Sequence, residues 1–255
     1  MTILTQKVNC KINLGLQIVR KREDGFHELR TVFYPTDFFT DTITLERADA
    51  EIDFICHSQQ DLGDSESNLC VKAFRLLQKD FNIQGVRITL EKGIPSGAGL
   101  GGGSADAAFT LRMLDQLFQL NLSTAQLMDY AAQLGSDVPF FIENQPMYAT
   151  GRGEILTPID LDLSNYEIRI VKPDISVSTK EAYAGVTPKV PGTELSTDIL
   201  TPIEHWRSII HNDFEDSIFI KHPSLKTLKQ QFYESGALYA AMSGSGTAVF
   251  GIFQR

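Results

Sequence analysis

Lys92-Gly93-Ile94-Pro95-Ser96-Gly97-Ala98-Gly99-Leu100-Gly101-Gly102-Gly103 is the stretch on which the reading of this chain turns, because six of its 19 glycines fall within eleven residues. Such a run cannot hold regular structure and is expected to be a loop. Val86 to Leu90 before it alternates as a strand. Ser104 to Phe118 after it places Ala and Leu at three- and four-residue spacing, the pattern of a helix. Backbone amides without Cβ atoms approach a ligand closely, and the positive end of the helix opening at Ser104-Ala105-Asp106 favours an anion, so the stretch suits phosphate. Gly97, Gly99 and Gly102 satisfy GxGxxG, but a dinucleotide fold wants its first Gly directly after the strand, and here Gly93 to Ser96 intervene. No Lys-Ser or Lys-Thr closes the run as in a P-loop, and the HRD and DFG elements of protein kinases are absent.

Outward from the loop, the N-terminal side reads as strands with one helix packed on them. Lys11 to Ile18 alternates, with Ile12, Leu14, Leu16 and Ile18 on one face and Lys11, Asn13, Gly15 and Gln17 on the other, as in a half-buried strand. A charged turn, Arg20 to Gly25, leads to strand candidates Phe26 to Tyr34, Thr42 to Glu46 and Glu51 to Cys56. Asn68 is placed to cap a helix with Leu69, Ala73, Leu76, Leu77 and Phe81 on its apolar face. On the C-terminal side, Ser123 and Gln126 form a capping box for a helix to about Leu134, followed by Gly135-Ser136-Asp137-Val138-Pro139-Phe140-Phe141. A second half is expected after Gly151-Arg152-Gly153. It holds a strand at Glu167 to Lys172, a helix capped by Ser178 with Glu181, a polar stretch from Thr187 to Pro202, a helix near Pro223 to Ser235, and two strands flanking Ser243 to Thr247. The domain boundary is placed near residue 150, giving domains 1–150 and 151–255.

Composition excludes several classes. With 42% hydrophobic and 22% charged residues over 255 positions, the chain is an ordinary globular protein. Its net charge of −9 argues against nucleic-acid polymers as partners, whose binding draws on basic surface. Residues 1–30 nevertheless carry six basic against three acidic side chains, a local excess suited to a small phosphorylated ligand. Cys10, Cys56 and Cys70 are odd in number and form no CxxC pair, so they read as buried small hydrophobes in a reducing compartment. No apolar run approaches the ~20 residues of a spanning helix and no export segment opens the chain, so no membrane partner and a cytoplasmic location are expected. His57, His205, His211 and His222 match no motif.

Phosphoryl transfer needs a cradle for the donor phosphates, cationic charge near the moving group, and a carboxylate beside the attacking hydroxyl. Asp137 is a candidate for the last, its alternative being a helix N-cap; Lys11, with Asn13 on the same strand face, is a candidate for the second, its alternative being a solvated surface lysine.

Taken in order, Lys11-Ile12-Asn13-Leu14, Asp24-Gly25-Phe26-His27, Pro95 to Ser104, Gly135-Ser136-Asp137-Val138-Pro139 and Ser243-Gly244-Ser245-Gly246 resemble the motifs of the galactokinase, homoserine kinase, mevalonate kinase and phosphomevalonate kinase superfamily. The triple glycine, the KINL strand and the GSDVPFF segment are similar to the members acting on cytidine-diphosphate-linked methylerythritol in non-mevalonate isoprenoid biosynthesis. The resemblance implies an α+β, two-domain fold: an N-terminal domain with a left-handed βαβ unit of the ribosomal S5 domain 2-like type, and a C-terminal ferredoxin-like α/β sandwich. It implies ATP, with Mg²⁺, as phosphoryl donor and a small-molecule acceptor. Pro95, Ser96, Gly97, Ala98, Gly99, Leu100, Gly101, Gly102, Gly103, Ser104 and Ala105 would hold the ATP phosphates. Asp137 would be the base and Lys11 its partner; Asn13, Phe26 and His27 would bind the acceptor, with an aromatic ring stacking on cytosine. The family more often has Tyr where this chain has Phe26. Ser243, Gly244, Ser245 and Gly246 would close over the phosphates. No residue is assigned as a metal ligand, and both a monomer and a homodimer stay open. The alternatives are another acceptor (homoserine, mevalonate or a sugar) on the same fold, or a nucleotide-binding module without catalysis.

Overall fold

The computed structural model describes residues 2–49, 51–58 and 64–255. In chain order it comprises β1 (Ile3–Lys21), β2 (His27–Arg47), β3 (Ile52–His57), α1 (Leu69–Phe81), β4 (Val86–Glu91), α2 (Gly102–Phe118), α3 (Thr124–Leu134), α4 (Val138–Glu143), β5 (Met147–Thr150), β6 (Ile155–Pro158), β7 (Tyr166–Val171), α5 (Thr179–Ala184), α6 (Leu195–Asp198), α7 (Ile203–Ile209), α8 (Glu215–Lys221), α9 (Pro223–Glu234), β8 (Tyr239–Met242) and β9 (Val249–Gln254). The chain divides into two compact units, each built of three segments. Met1–Cys10, Phe39–Ser96 and Gly101–Asn144 form the first; Lys11–Phe38, Gly97–Leu100 and Gln145–Arg255 form the second.

In the first unit, the C-terminal part of β2 pairs antiparallel with β4 from Thr42↔Glu91 to Arg47↔Val86, and β4 pairs parallel with β3. A parallel pair needs a crossover, and α1 supplies it. Asn68 caps α1 by accepting from Cys70 N at 2.9 Å, and Asn82 ends it at φ +47°. Cys70, Val71, Ala73, Phe74 and Leu77 form its buried stripe. Buried positions of α2 run almost all round it, from Ala105 to Leu117, which makes it the central helix, with α1, α3 and α4 packed against it. The Ser123–Gln126 capping box of α3 is present as expected.

In the second unit, the N-terminal part of β2 pairs antiparallel with β5, and β5 with β6 across the Gly151–Gly153 turn. A separate antiparallel sheet runs β7-β9-β8. Leu16, Ile18, Phe214, Ile218, Leu225, Phe232, Met242 and Val249 meet in one apolar core; each such side chain contributes about 1.5–3 kcal/mol by leaving water.

Several expectations change. The strand containing Lys11 is not half-buried: β1 is buried continuously from Val8 to Leu16, because its polar side chains find polar partners inside. Phe26 to Tyr34 and Thr42 to Glu46 are not two strands but one, β2; Pro35, Asp37 and Asp41 look like turn residues yet lie within it. Helix α2 opens two residues early, at Gly102, where the Ile94 side chain approaches so closely that a Cβ would stand 2.9 Å from its Cγ2. Asp137 to Phe141 enters a short helix, α4. Helices α7 and α8 and the β5–β6 hairpin were not legible in the residue pattern. Cys10 and Cys70 are buried, but Cys56 is only half-buried.

Candidate active site

The residues singled out in the sequence fall in both units. In the second, Lys11 is 3% and Asn13 2% exposed, so the solvated reading of Lys11 does not hold. Lys11 Nζ donates to Asn13 Oδ1 at 2.6 Å and to the carbonyl of Gly99, in the glycine loop, at 3.1 Å; it also lies 4.9 Å from the centre of the Phe33 ring. Asn13 Nδ2 donates to Thr31 Oγ1 at 2.9 Å, and Thr31 donates onward to Gly15 O at 2.6 Å. The Asn13 amide is thereby oriented, its oxygen toward the lysine.

The two glycine-rich stretches touch within this unit. Ser243 Oγ donates to Gly99 O at 2.9 Å and accepts from Asn13 N at 3.3 Å. Gly99 has φ +79°, and a Cβ there would overlap the Ser243 carbonyl; a Cβ on Gly246 would overlap the backbone of Ala98. Both positions require glycine because two backbones meet there. Ala98 and Leu100 are buried anchors, whereas Gly97 is exposed.

Phe26 and His27 close the hairpin between β1 and β2. Phe26 is 54% exposed, with the Arg152 guanidinium 4.9 Å from its ring centre. His27 stacks on Tyr183 of α5, ring centres 4.8 Å apart, and burial with the nearby Lys21 charge lowers its pKa, which favours the neutral imidazole. Tyr183 was missed in the sequence, where nothing separates it from an ordinary helix aromatic.

In the first unit, Gly101 caps α2 at φ +74°, and the helical ladder begins with Ala105 N donating to Gly101 O at 2.8 Å. The amides of Gly101, Gly102, Gly103 and Ser104 therefore have no partner inside the helix and are set for an anion. Pro95 is half-buried and Ser96 exposed at the loop's entry; Gly103 is exposed, Ser104 half-buried and Ala105 buried at its exit. Asp137 occupies the cap position of α4, and its side chain makes no capping bond to that helix.

A buried cluster beside α2 had no signature in the sequence. Lys92 Nζ donates to Asp41 and, at 2.7 Å, to Asp106 Oδ2. Asp41 Oδ1 also accepts from Gly93 N at 2.6 Å and Ile94 N at 2.7 Å, which fixes the loop's first residues. One ammonium faces two carboxylates, so one proton too few is present for neutrality; burial, opposed by Lys92 and reinforced by Asp41, pushes the Asp106 carboxyl up to about 8. A neutral carboxyl there does not repel phosphate. Asp106 Oδ1 has no hydrogen-bond partner among the described residues, and Asp106 lines a pocket of about 200 Å³ with Ser67, Asn68, Leu69, Lys92, Ser96 and Gly103.

Known proteins place this arrangement. The family model described as GHMP kinases N terminal domain matches residues 68–145, and that described as GHMP kinases C terminal matches residues 201–255. A Bacteroides thetaiotaomicron protein named 4-diphosphocytidyl-2-C-methyl-D-erythritol kinase is 49% identical over 248 residues, 96% of this chain and 90% of its own length. A Bacteroides fragilis protein of the same name is 47% identical, again over 96% of this chain and 90% of its own. Among solved structures, the crystal structure of a 4-(cytidine 5'-diphospho)-2C-methyl-D-erythritol kinase superposes with a TM-score of 0.83 at 34% identity, covering 98% of this chain and 90% of that one. The chain belongs to the GHMP kinases and, among them, to the 4-diphosphocytidyl-2-C-methyl-D-erythritol kinase family.

Proposed function

We propose that the protein transfers the γ-phosphoryl group of ATP to the 2-hydroxyl of 4-diphosphocytidyl-2-C-methyl-D-erythritol, a step of non-mevalonate isoprenoid biosynthesis in the cytoplasm. Asp137 takes the hydroxyl proton as the oxygen attacks the γ-phosphorus and ADP departs. Lys11 offsets charge developing on the transferred group, and the amides from Pro95 to Ala105 hold the donor phosphates. Ser243, Gly244, Ser245 and Gly246 complete the phosphate side. Asn13, Phe26 and His27 bind the acceptor, Phe26 stacking on cytosine and neutral His27 bonding its edge. The observation that carries these assignments is the buried ammonium of Lys11, bonded at once to Asn13 and to Gly99 of the glycine loop.

Mg²⁺ arriving with ATP would supply positive charge that offsets the phosphates. Among the described residues no group of three or more His, Cys, Asp and Glu is placed to hold an ion. No helix among the described residues is long and apolar enough to cross a membrane.

The proposal extends to the subfolds and domains. The parallel β3-α1-β4 unit supports an S5 domain 2-like N-terminal domain with a left-handed crossover. The antiparallel β7-β9-β8 sheet with its helices supports a ferredoxin-like C-terminal domain. The two family matches lie on either side of residue 150, in support of domains 1–150 and 151–255.

ATP consumption measured side by side with the cytidyl-diphosphate methylerythritol, mevalonate and homoserine tests the proposal. Turnover with the first alone is expected; equal or faster turnover with either of the others overturns it.

A further inference from the structure

Asn212 and Asp213, between α7 and α8, and Glu215, the first residue of α8, are only 0%, 5% and 2% exposed. Their bonds run two ways within the second unit. Toward β1, Leu16 N donates to His211 O at 2.9 Å, Asp213 N to Leu16 O at 2.8 Å, and Ile18 N to Asp213 Oδ2 at 2.8 Å. Toward the second glycine-rich loop, Asn212 Nδ2 donates to Met242 O at 2.9 Å and to Gly244 O at 3.0 Å, while Met242 N donates to Glu215 Oε1 at 2.8 Å.

The remaining atoms of these side chains are committed as well. Asn212 Oδ1 accepts from Phe214 N at 3.0 Å, and Glu215 Oε2 accepts from Lys229 Nζ at 2.6 Å. With its oxygen taken, Asn212 presents two donors to two carbonyls and cannot flip without losing all three bonds. Buried carbonyls left unpaired are costly, so the loop's path is tied to this one side chain. Loops that open and close come from the weakly held parts of a fold, whereas here side chains grip Met242 and Gly244 and the Gly99 and Gly246 backbones are in close contact.

We propose that Asn212, supported by Asp213 and Glu215, is a positioning residue that holds Ser243–Gly246 in its nucleotide-ready place relative to β1 before ATP arrives, making that loop a fixed platform rather than a lid. The trio acts through Met242, Gly244 and β1, the strand that carries Lys11 and Asn13, and touches no reacting atom. The inference rests on reading this loop as part of the phosphate side. Presetting it removes an ordering cost that ATP would otherwise meet on binding.

The test compares N212D with I218A in the full chain. N212D keeps size and the bond from Phe214 N but turns an oxygen toward the carbonyls of Met242 and Gly244. I218A opens a cavity in the same core without a bond to the loop. The dissociation constant for ATP, read by calorimetry, is expected to weaken about tenfold in N212D, the usual effect of losing a buried hydrogen bond, with the acceptor KM within about twofold. I218A should lower Tm yet leave ATP binding within about twofold. An unchanged ATP affinity in N212D, or an equal loss in I218A, overturns the proposal. Should N212D not fold, hydrogen exchange on the unaltered protein decides: the Met242 amide must be protected without ATP, and exchange at the rate of an open loop overturns it. Failure of the function proposed above would show separately, as an unaltered protein that binds ATP but phosphorylates none of the three acceptors.

Discussion

Gly97 and Gly246, one in each glycine-rich loop, are glycine for opposite reasons. In the first, a Cβ on Gly97 would meet nothing within 4 Å, and glycine is there because φ is +65° and the space beside it is open. In the second, Gly246 sits against the Ala98 backbone with no room for a Cβ. Space is open beside Gly97, whereas Gly246, like Gly99, is pressed against another stretch of backbone. The difference teaches that a glycine motif alone does not say whether backbone meets ligand or backbone meets backbone.

The sharpest break of that comparison is G246A. Its Cβ collides with main chain, which no rotamer change relieves, so a loss of about 3 kcal/mol or more, at the upper end of overpacking, and undetectable turnover are expected from thermal melting and a coupled assay. Wild-type stability would refute the close contact. D137N comes next: turnover should fall by about 10²–10⁴ while ATP binding by calorimetry stays nearly intact, and lost binding with unchanged turnover would reject the base. G97A strains the backbone without meeting an atom. It should cost about 1–2 kcal/mol in Tm-derived stability and raise the ATP KM several-fold, a smaller effect than G246A; if the two are equal, the contrast fails.

The smallest effect concerns the cluster at the first loop's entry. Burial pushes the Asp106 carboxyl up to about 8, so its contribution is fully present below about pH 4 and is lost as pH rises toward 8, because the unfolded chain releases a proton there that the folded state must keep. Stability by denaturant unfolding should decline across that window, and D106N should flatten the decline. An identical slope in D106N would contradict the assignment.

What the residue pattern revealed was local. The glycine loop, the long helix after it, and the caps at Asn68, Ser123 and Ser178 were legible because their signals lie within a few residues of one another. Alternation from Lys11 to Ile18 told which side chains share a face, but not that the polar face is buried, since period two carries no information about what lies across the sheet. The Lys92 cluster joins residues 51 and 14 positions apart, and the Asn212 contacts span 30 and more. Neither has a spacing that a reader could search for. Helices α7 and α8, seven residues each, are too short to display a period, and only Ile203 and Trp206 mark the buried side of α7.

The interleaving of the two units sets a schedule for synthesis. The segments of the first are all outside the ribosome once residue 144 has emerged, whereas Ile18 in β1 must wait for Asp213, 195 positions later, and for Met242 of the same core beyond it. During that interval the strand that carries Lys11 has apolar side chains and no finished core, which makes the nascent chain a natural client for chaperones. Slow, late maturation of the lysine-bearing half is therefore written into the order in which the segments are translated.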